Sequence, residues 1–248
     1  MPDYFKTNGY KCPADGASGP LQYAFGTPLV AYEYWRKEKP DFFENFNIFM
    51  AGKLTAGTTG QKWNDFYPIK DLIEGFDQKK GEAFFVDIAG GIGHEAALLK
   101  STFPDAPGKF ILQEVPAVLD DIKELDPEIE RMSYNFFTPQ PVVGARTYFM
   151  ANIMHNWTDQ ECHKILSNTV PAMTKGYSKI LFSDHIVPEQ NCPLHTVGRD
   201  IGMMSLHSGV ERSEKMWTVL LENAGLKVVK FYPLSGQGEG LVEAERVV

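Results

Sequence analysis

The sequence is poor in the features that mark secreted, membrane-bound or nucleic-acid-binding proteins. Only three cysteines occur in 248 residues, Cys12, Cys162 and Cys192, far apart and with no CxxC pair. An odd, scattered set excludes a disulfide frame and a zinc site, so no metal is expected and the thiols read as free. No apolar run approaches the roughly 18 residues of a membrane span. The opening "MPDYFKTNGYKCPADG" lacks the apolar stretch of a signal peptide. Clusters of Lys and Arg with interleaved aromatics are missing too, and the formal net charge is −8. Nucleic acids and anionic membranes both need a basic footprint, so neither is expected as a partner. A soluble, cytoplasmic protein is the expectation, without repeats or low-complexity tracts.

What is present changes texture along the chain. Residues 1–26 are rich in Gly, Pro and polar side chains and read as a loop-rich lead-in. Over 27–56, large apolar residues recur at helical spacing: Tyr32, Trp35, Phe42, Phe43, Phe46, Phe49 and Met50. A second amphipathic segment, "QKWNDFYPIKDLIEGF", follows at 61–76. From residue 83, strand-like runs alternate with helix-like ones. The runs are "AFFVDI", "KFILQEV", "RTYFMANI" and "SKILFSDHIV", with helical patterns over 92–102, 117–125, 158–173 and 199–224. Such alternation predicts βαβ units, hence an α/β fold with a mostly parallel sheet covered by helices. At the end, "KVVKFYPL" and "GLVEAERVV" are joined only by "SGQGE". A parallel crossover needs a dozen or more residues, so these two are expected to be antiparallel neighbours. The expected division is a lead-in over 1–76 and a cofactor-binding domain over 77–248.

The stretch "FFVDIAGGIGHEAALLK" places Asp87 at a strand end and Gly90, Gly91 and Gly93 in the turn before a helix. Glycines there permit unusual φ and close approach of a ligand to the backbone. A plain tight turn accounts for them equally simply. The full GxGxxG spacing is absent, and no Lys-Ser/Thr follows, which excludes a P-loop. Glu114 ends the next strand, where an acidic residue can accept hydrogen bonds from ribose hydroxyls. Asn135, Phe136 and Phe137 follow the region of the third strand, where an amide and aromatic faces suit an adenine; core packing suits the aromatics as well. NAD and S-adenosylmethionine both fit. The C-terminal strand pair favours the second, because a parallel sheet ending in an antiparallel hairpin resembles the Rossmann-like, seven-stranded sheet of methyltransferases that use S-adenosylmethionine.

"MANIMHNWTDQECHKIL" puts His155 just past an apolar strand and before a helix opened by Thr158. That position is the carboxyl edge of the sheet, where ligands bind in such folds. With these landmarks in view, and with "FENFNIFM", "FILQEVP", "NFFTPQPV", "SDHIVPE" and "MMSLHSGVERSEKMW", the chain from about residue 20 onward resembles a known family. It is similar to the small-molecule O-methyltransferases that include the plant caffeate and flavonoid enzymes, in a fungal form.

The resemblance implies His155 as general base, with Asp184 and Glu211 flanking and orienting it. A phenol ionises near ~10, so a base near ~6.5 that removes its proton as attack begins speeds displacement at the sulfonium methyl. Residue types alone give Asp184 as a strand-end cap and Glu211 as an ion-pair partner of Arg212 or Lys215. The resemblance also implies that Asp87, Gly90, Gly91, Gly93, Glu114, Asn135, Phe136 and Trp157 hold S-adenosylmethionine. It assigns Phe46, Met50, Met203, Met204 and His207 to a planar, aromatic or polyketide-like acceptor, for which thioethers and aromatic faces suit the pocket.

Four departures from the family pattern stand out. Ala151 sits where a Lys or Arg is usual, Asn156 replaces the Asp of the His-Asp-Trp motif, and Asn135 replaces an Asp. The family's winged-helix dimerisation domain would precede this chain, so apolar surface over 27–56 is expected to be exposed and homodimerisation is left open. Two alternatives to methyl transfer stand beside it. One is a relative that binds the cofactor for other chemistry, as pericyclase or dehydratase, with Arg199-Asp200 as a polar pair in the substrate segment; a surface ion pair at a helix start is the plainer account of those two residues. The other is a catalytically silent binding protein.

Overall fold

The computed structural model describes residues 1–46, 48, 62–233 and 239–247. Met50 and Phe49, assigned from the sequence to the acceptor pocket and the apolar lead-in, lie outside the described residues. The chain builds one mixed sheet in the order β3-β2-β1-β4-β5-β8-β7. These strands are β1 (Ala83–Ile88), β2 (Lys109–Glu114), β3 (Ile129–Ser133), β4 (Thr147–Ala151), β5 (Lys179–Val187), β7 (Leu226–Pro233) and β8 (Glu239–Arg246). β1 to β5 pair in parallel, and β8 runs antiparallel to both β5 and β7. The expected parallel sheet with an antiparallel end is what forms. A short extra strand, β6 (Arg212–Ser213), pairs with β5 off this path and was not foreseen.

All six residues of β1 are buried, as a central parallel strand covered on both faces requires. One apolar cluster joins β1, β4 and β5 to the helices Asp159–Thr169 and Glu214–Asn223 through Ile165, Leu166, Trp217 and Leu221. A second, on the other face, includes Trp63. Its ring lies parallel to Phe85 at 6.1 Å and 4.7 Å from Phe149. The single helix expected over 199–224 is two, Leu194–His207 and Glu214–Asn223, with β6 between them. Ser208 in the left-handed conformation ends the first, and the Ser213 side chain caps the second by accepting from the Met216 amide.

In the lead-in, the helix Ala31–Glu38 buries Tyr34 and Trp35 in a cluster with Leu21. Trp35 is therefore covered, not exposed as expected, and Phe43 and Phe46 are half-buried against the same cluster. Phe42 and Ile48 remain open to solvent. Among the described residues, no helix is long and apolar enough to cross a membrane.

Candidate active site

The carboxyl edge of the sheet carries two constructions side by side. The first is the turn after β1. Ala89, at φ 56°, turns the chain, and Gly91 and Gly93 follow at φ 59° and 81°. At Gly90 the constraint is space: a Cβ would lie 2.4 Å from the Asp87 carboxyl carbon. Asp87 is fully buried, with one oxygen accepting from the Ala96 amide and Oδ1 without a hydrogen-bond partner. Burial and the nearby Glu95 charge push its carboxyl up to about 7, against the opposing pull of His94 and the Ala96 amide. Glu114 reaches back from the end of β2 and accepts from the amides of Gly91 at 3.2 Å and Val115 at 2.7 Å. Desolvation raises its pKa. A carboxylate offers about four lone-pair sites, so capacity for further donors remains. Asn135 turns its amide oxygen to the Phe137 amide, 3.0 Å away. Phe136, Phe137 and Trp157 stand edge to face, with centroids 4.9 to 5.7 Å apart.

The second construction surrounds His155. The ring sits in a short 3₁₀ turn, Met154–Asn156, just after β4, and is 6% exposed. Its Nδ1 lies 3.0 Å from Glu211 Oε1 and 3.2 Å from Asp184 Oδ1. Two carboxylates on one ring nitrogen make Nδ1 the protonated donor, which leaves Nε2 with the lone pair on the opposite side of the ring. Burial raises the pKa of Asp184, against the attraction of His155. Burial works the same way on Glu211 but is outweighed by the hydrogen bond and charge of His155 and by Arg199, which hold it down to about 2. Glu211 is thus the ionised partner, and its pair with Arg199 and His155 is the stronger one.

The local sequence explains how Glu211 arrives. Val210 donates its amide to the His155 carbonyl at 3.1 Å, and a Cβ on Gly209 would stand 2.0 Å from that same oxygen. Segment 209–212 is therefore pressed onto the His155 turn. Arg212, 1% exposed, donates to the carbonyls of Met154 at 2.7 Å and Trp157 at 3.0 Å. It also pairs with Asp159 at 2.7 Å. Arg212 clamps the turn that carries the histidine, and it does not pair with Glu211. Sequence reasoning missed this role; the signal was a charged residue beside Glu211 inside a motif shared with the family. Thr158 caps the following helix, accepting from the Glu161 amide.

Arg199 follows the reading that put it in the substrate segment and not the surface ion pair. It lies in the second turn of helix Leu194–His207, not at a surface, with Nε 2.7 Å from Glu211 Oε1. His207, at the end of that helix, is buried against the rings of Tyr32 and Trp35 at 5.0 and 5.7 Å. Burial and the nearby His155 lower its pKa to about 3, so it is neutral. A small cavity is lined by Tyr32, Asn156, Trp157 and His207, together with Gly16, Val30 and Ala31. Phe46 packs on Tyr32 and Trp35 at the back of this group, and Met203 and Met204 are half-buried on helix Leu194–His207. Ala151 ends β4, half-buried.

Comparison with known proteins bears directly on this arrangement. Residues 16–227 match the O-methyltransferase domain family. O-methyltransferase asqD of Emericella nidulans is 35% identical over 249 aligned residues, covering 99% of this chain and 63% of the relative. A structure of LepI in complex with SAM superposes with a TM-score of 0.89 at 30% identity, covering 100% of this chain and 62% of that one. A structure described as a pericyclic reaction enzyme gives the same TM-score and identity, covering 100% of this chain and 63% of that one. The chain thus spans less than two thirds of the length of the relatives it matches.

Proposed function

Because the chain belongs to the O-methyltransferase domain family, we propose that it transfers a methyl group from S-adenosylmethionine to a hydroxyl of a phenolic or enolic secondary metabolite, with His155 as general base. The observation that carries this is the pair of carboxylates on Nδ1 at 3.0 and 3.2 Å, behind an imidazole at the carboxyl edge of the sheet.

The residues present fit the cofactor. Asp87 keeps a buried oxygen without a partner, Gly90 leaves room that a side chain would fill, and Glu114 retains acceptor capacity. Asp87, Gly90, Gly91, Gly93 and Glu114 would hold its amino-acid and ribose portions, and Asn135, Phe136 and Trp157 its adenine. When bound, it supplies an electrophilic methyl on a sulfonium. His155 Nε2 accepts the proton of the acceptor hydroxyl as the oxygen attacks. Glu211, ionised, stabilises the imidazolium through Nδ1, and Asp184 holds the ring from the other side. Neutral His207 and the thioethers of Met203 and Met204 give an acceptor site without fixed charge, suited to a planar apolar molecule. Phe46 and the described part of the lead-in, within residues 1–76, would border that pocket beside the cofactor-binding unit assigned to 77–248.

One observation favours a second reading. Arg199 adds a guanidinium to the base site, and a close structural neighbour is described as a pericyclic reaction enzyme. A cofactor-binding enzyme of non-methylating chemistry, pericyclase or dehydratase, fits these. Incubation with methyl-labelled S-adenosylmethionine and a panel of fungal polyketides separates them. Labelled product supports methyl transfer; an altered skeleton without label supports the second reading; neither product with retained cofactor binding points to a silent binding protein.

A further inference from the structure

We propose that Arg199 is a positioning residue of this site: its guanidinium fixes Glu211 against His155 and balances the two buried carboxylates, so that the imidazole can exist unprotonated. The proposal rests on the reading of His155 as the base.

The geometry ties Arg199 to Glu211 and Asn152 and brings it close to the His155 ring. Nε donates at 2.7 Å to Glu211 Oε1, the same oxygen that takes the His155 Nδ1 hydrogen at 3.0 Å. Nη2 donates at 2.8 Å to Asn152 Oδ1 and lies 3.4 Å from His155 Nδ1. One side chain thus binds the turn after β4, the segment before β6 and its own helix. Asn152 stands in the left-handed region at φ 54°, which asparagine adopts more readily than most residues. Its carbonyl in turn accepts from Asn156 Nδ2 at 3.0 Å, which links the contact to the motif position where the family pattern has Asp.

The charges around the ring explain why a cation is needed. Asp184 from β5 and Glu211 both face Nδ1, and each negative charge favours the imidazolium. An imidazole that stays protonated has no lone pair at Nε2 to take a proton. The facing atoms of His155, Asp184 and Glu211 all lie within 4.8 Å of one another. Arg199 brings a positive charge to that cluster that cannot be lost by deprotonation. Of the other charged neighbours, Arg212 also attracts Asp184, but it makes its hydrogen bonds elsewhere. Arg212 is turned to Asp159 and to the Met154 and Trp157 carbonyls. His207 is neutral, and Asp200 spends Oδ1 on the Glu211 amide at 2.9 Å.

The test reads the imidazole itself and needs no turnover. Long-range proton–nitrogen spectra are followed across roughly pH 5 to 9, the range in which histidine changes charge. The His155 signals are identified by their loss in His155→Ala. In Arg199→Gln the protonation midpoint of His155 should rise by about one pH unit. In Arg199→Lys, which keeps the charge, it should stay within a few tenths of wild type. Arg199→Met, which keeps the aliphatic stem, serves if the Gln variant does not fold. In the pH profile of kcat/KM, the acid limb should move by the same amount as the midpoint. An unmoved midpoint in a folded, charge-free variant overturns the proposal, whatever its thermal stability. A shifted midpoint without methyl transfer in any form leaves Arg199 its role and removes the base reading instead.

Discussion

The glycine turn and the His155 turn lie on the same edge of one sheet, yet they are built in opposite ways. At the glycine turn the contacts are short in sequence and mostly involve backbone amides. Asp87 accepts from an amide 9 residues on, and Gly91 donates to a carboxylate 23 residues on. At the His155 turn the contacts join side chains and cross the fold: 44 residues to Arg199, 56 to Glu211, and 58 between Arg212 and the Met154 carbonyl. The first construction leaves a buried carboxylate oxygen and open space for a ligand. The second also leaves buried carboxylate oxygens without a hydrogen-bond partner, Asp184 Oδ2 and Glu211 Oε2, but it sets a guanidinium and an imidazole against the other oxygens of the pair and turns one ring nitrogen away from them. Shape made by backbone suits binding, where a ligand supplies the missing partners; a cluster of charged side chains suits proton transfer, where the protein must supply them.

Four substitutions test that division, taken from the largest expected effect. His155→Ala should lower methyl transfer by ~10²–10⁴, about 3–5 kcal/mol in barrier, while cofactor affinity stays within a few-fold. Calorimetric titration beside the rate assay checks both, and a variant with near-normal turnover would falsify the base assignment.

Asp87→Asn probes the other end through pH. With its pKa raised to about 7 by burial, Asp87 binds its proton more tightly folded than unfolded. Its contribution to stability is therefore full below about 4 and is lost as pH rises through about 7, an effect of up to about 4 kcal/mol. The Asn variant should melt higher than wild type at pH 8 and nearly equal to it at acidic pH, by thermal denaturation across that range. Equal melting shifts at both pH values would mean that Asp87 does not titrate there.

Arg212→Met should be felt as stability. It takes the guanidinium from the Met154 and Trp157 carbonyls, which keep only weaker donors such as Cys162 Sγ, and from the Asp159 carboxylate. The expected loss is about 3 kcal/mol, or roughly 6–12 °C in Tm for a domain of this size. A smaller loss with turnover intact would mean that segment 209–212 stays docked by its backbone contacts alone.

Gly91→Val carries the smallest change in fold and the sharper one in binding. A Cβ there meets nothing within 4 Å, so the cost is the left-handed φ of 59°, about 1–2 kcal/mol. Cofactor affinity should nevertheless fall by about tenfold or more, because a branched side chain stands where the ligand approaches the turn. Unchanged affinity in the folded variant would place the cofactor elsewhere.

Much of this was legible in the residues. The alternation of apolar runs predicted the parallel sheet, and the five residues between the last two runs predicted antiparallel pairing, because neither depends on distant parts of the chain. Position alone set His155 at the carboxyl edge, since a residue just past an apolar strand can hardly lie anywhere else. The same local reading failed for Trp35 and Arg212, and it left Arg199 open between the site and a surface ion pair. Each is a large side chain whose partner lies elsewhere in the chain, and periodicity shows only that such a residue has a face, not what covers it.

Sequence by itself therefore determined most of the strands, though not the short β6, together with the antiparallel C-terminal end and the turn where glycine stands at φ 59° and 81°. These follow from hard-sphere limits on the backbone and from a side-chain period of two, both local properties. Residue types alone left Glu211 to pair with Arg212 or Lys215, and the family resemblance set it beside His155; the tertiary structure decided that Arg212 turns to Asp159 and that Arg199 enters the His155 cluster. The reason is electrostatic as well as geometric. A buried charge is stable only beside its opposite, and which opposite charge it meets is fixed by where β5, helix Leu194–His207 and the turn after β4 converge.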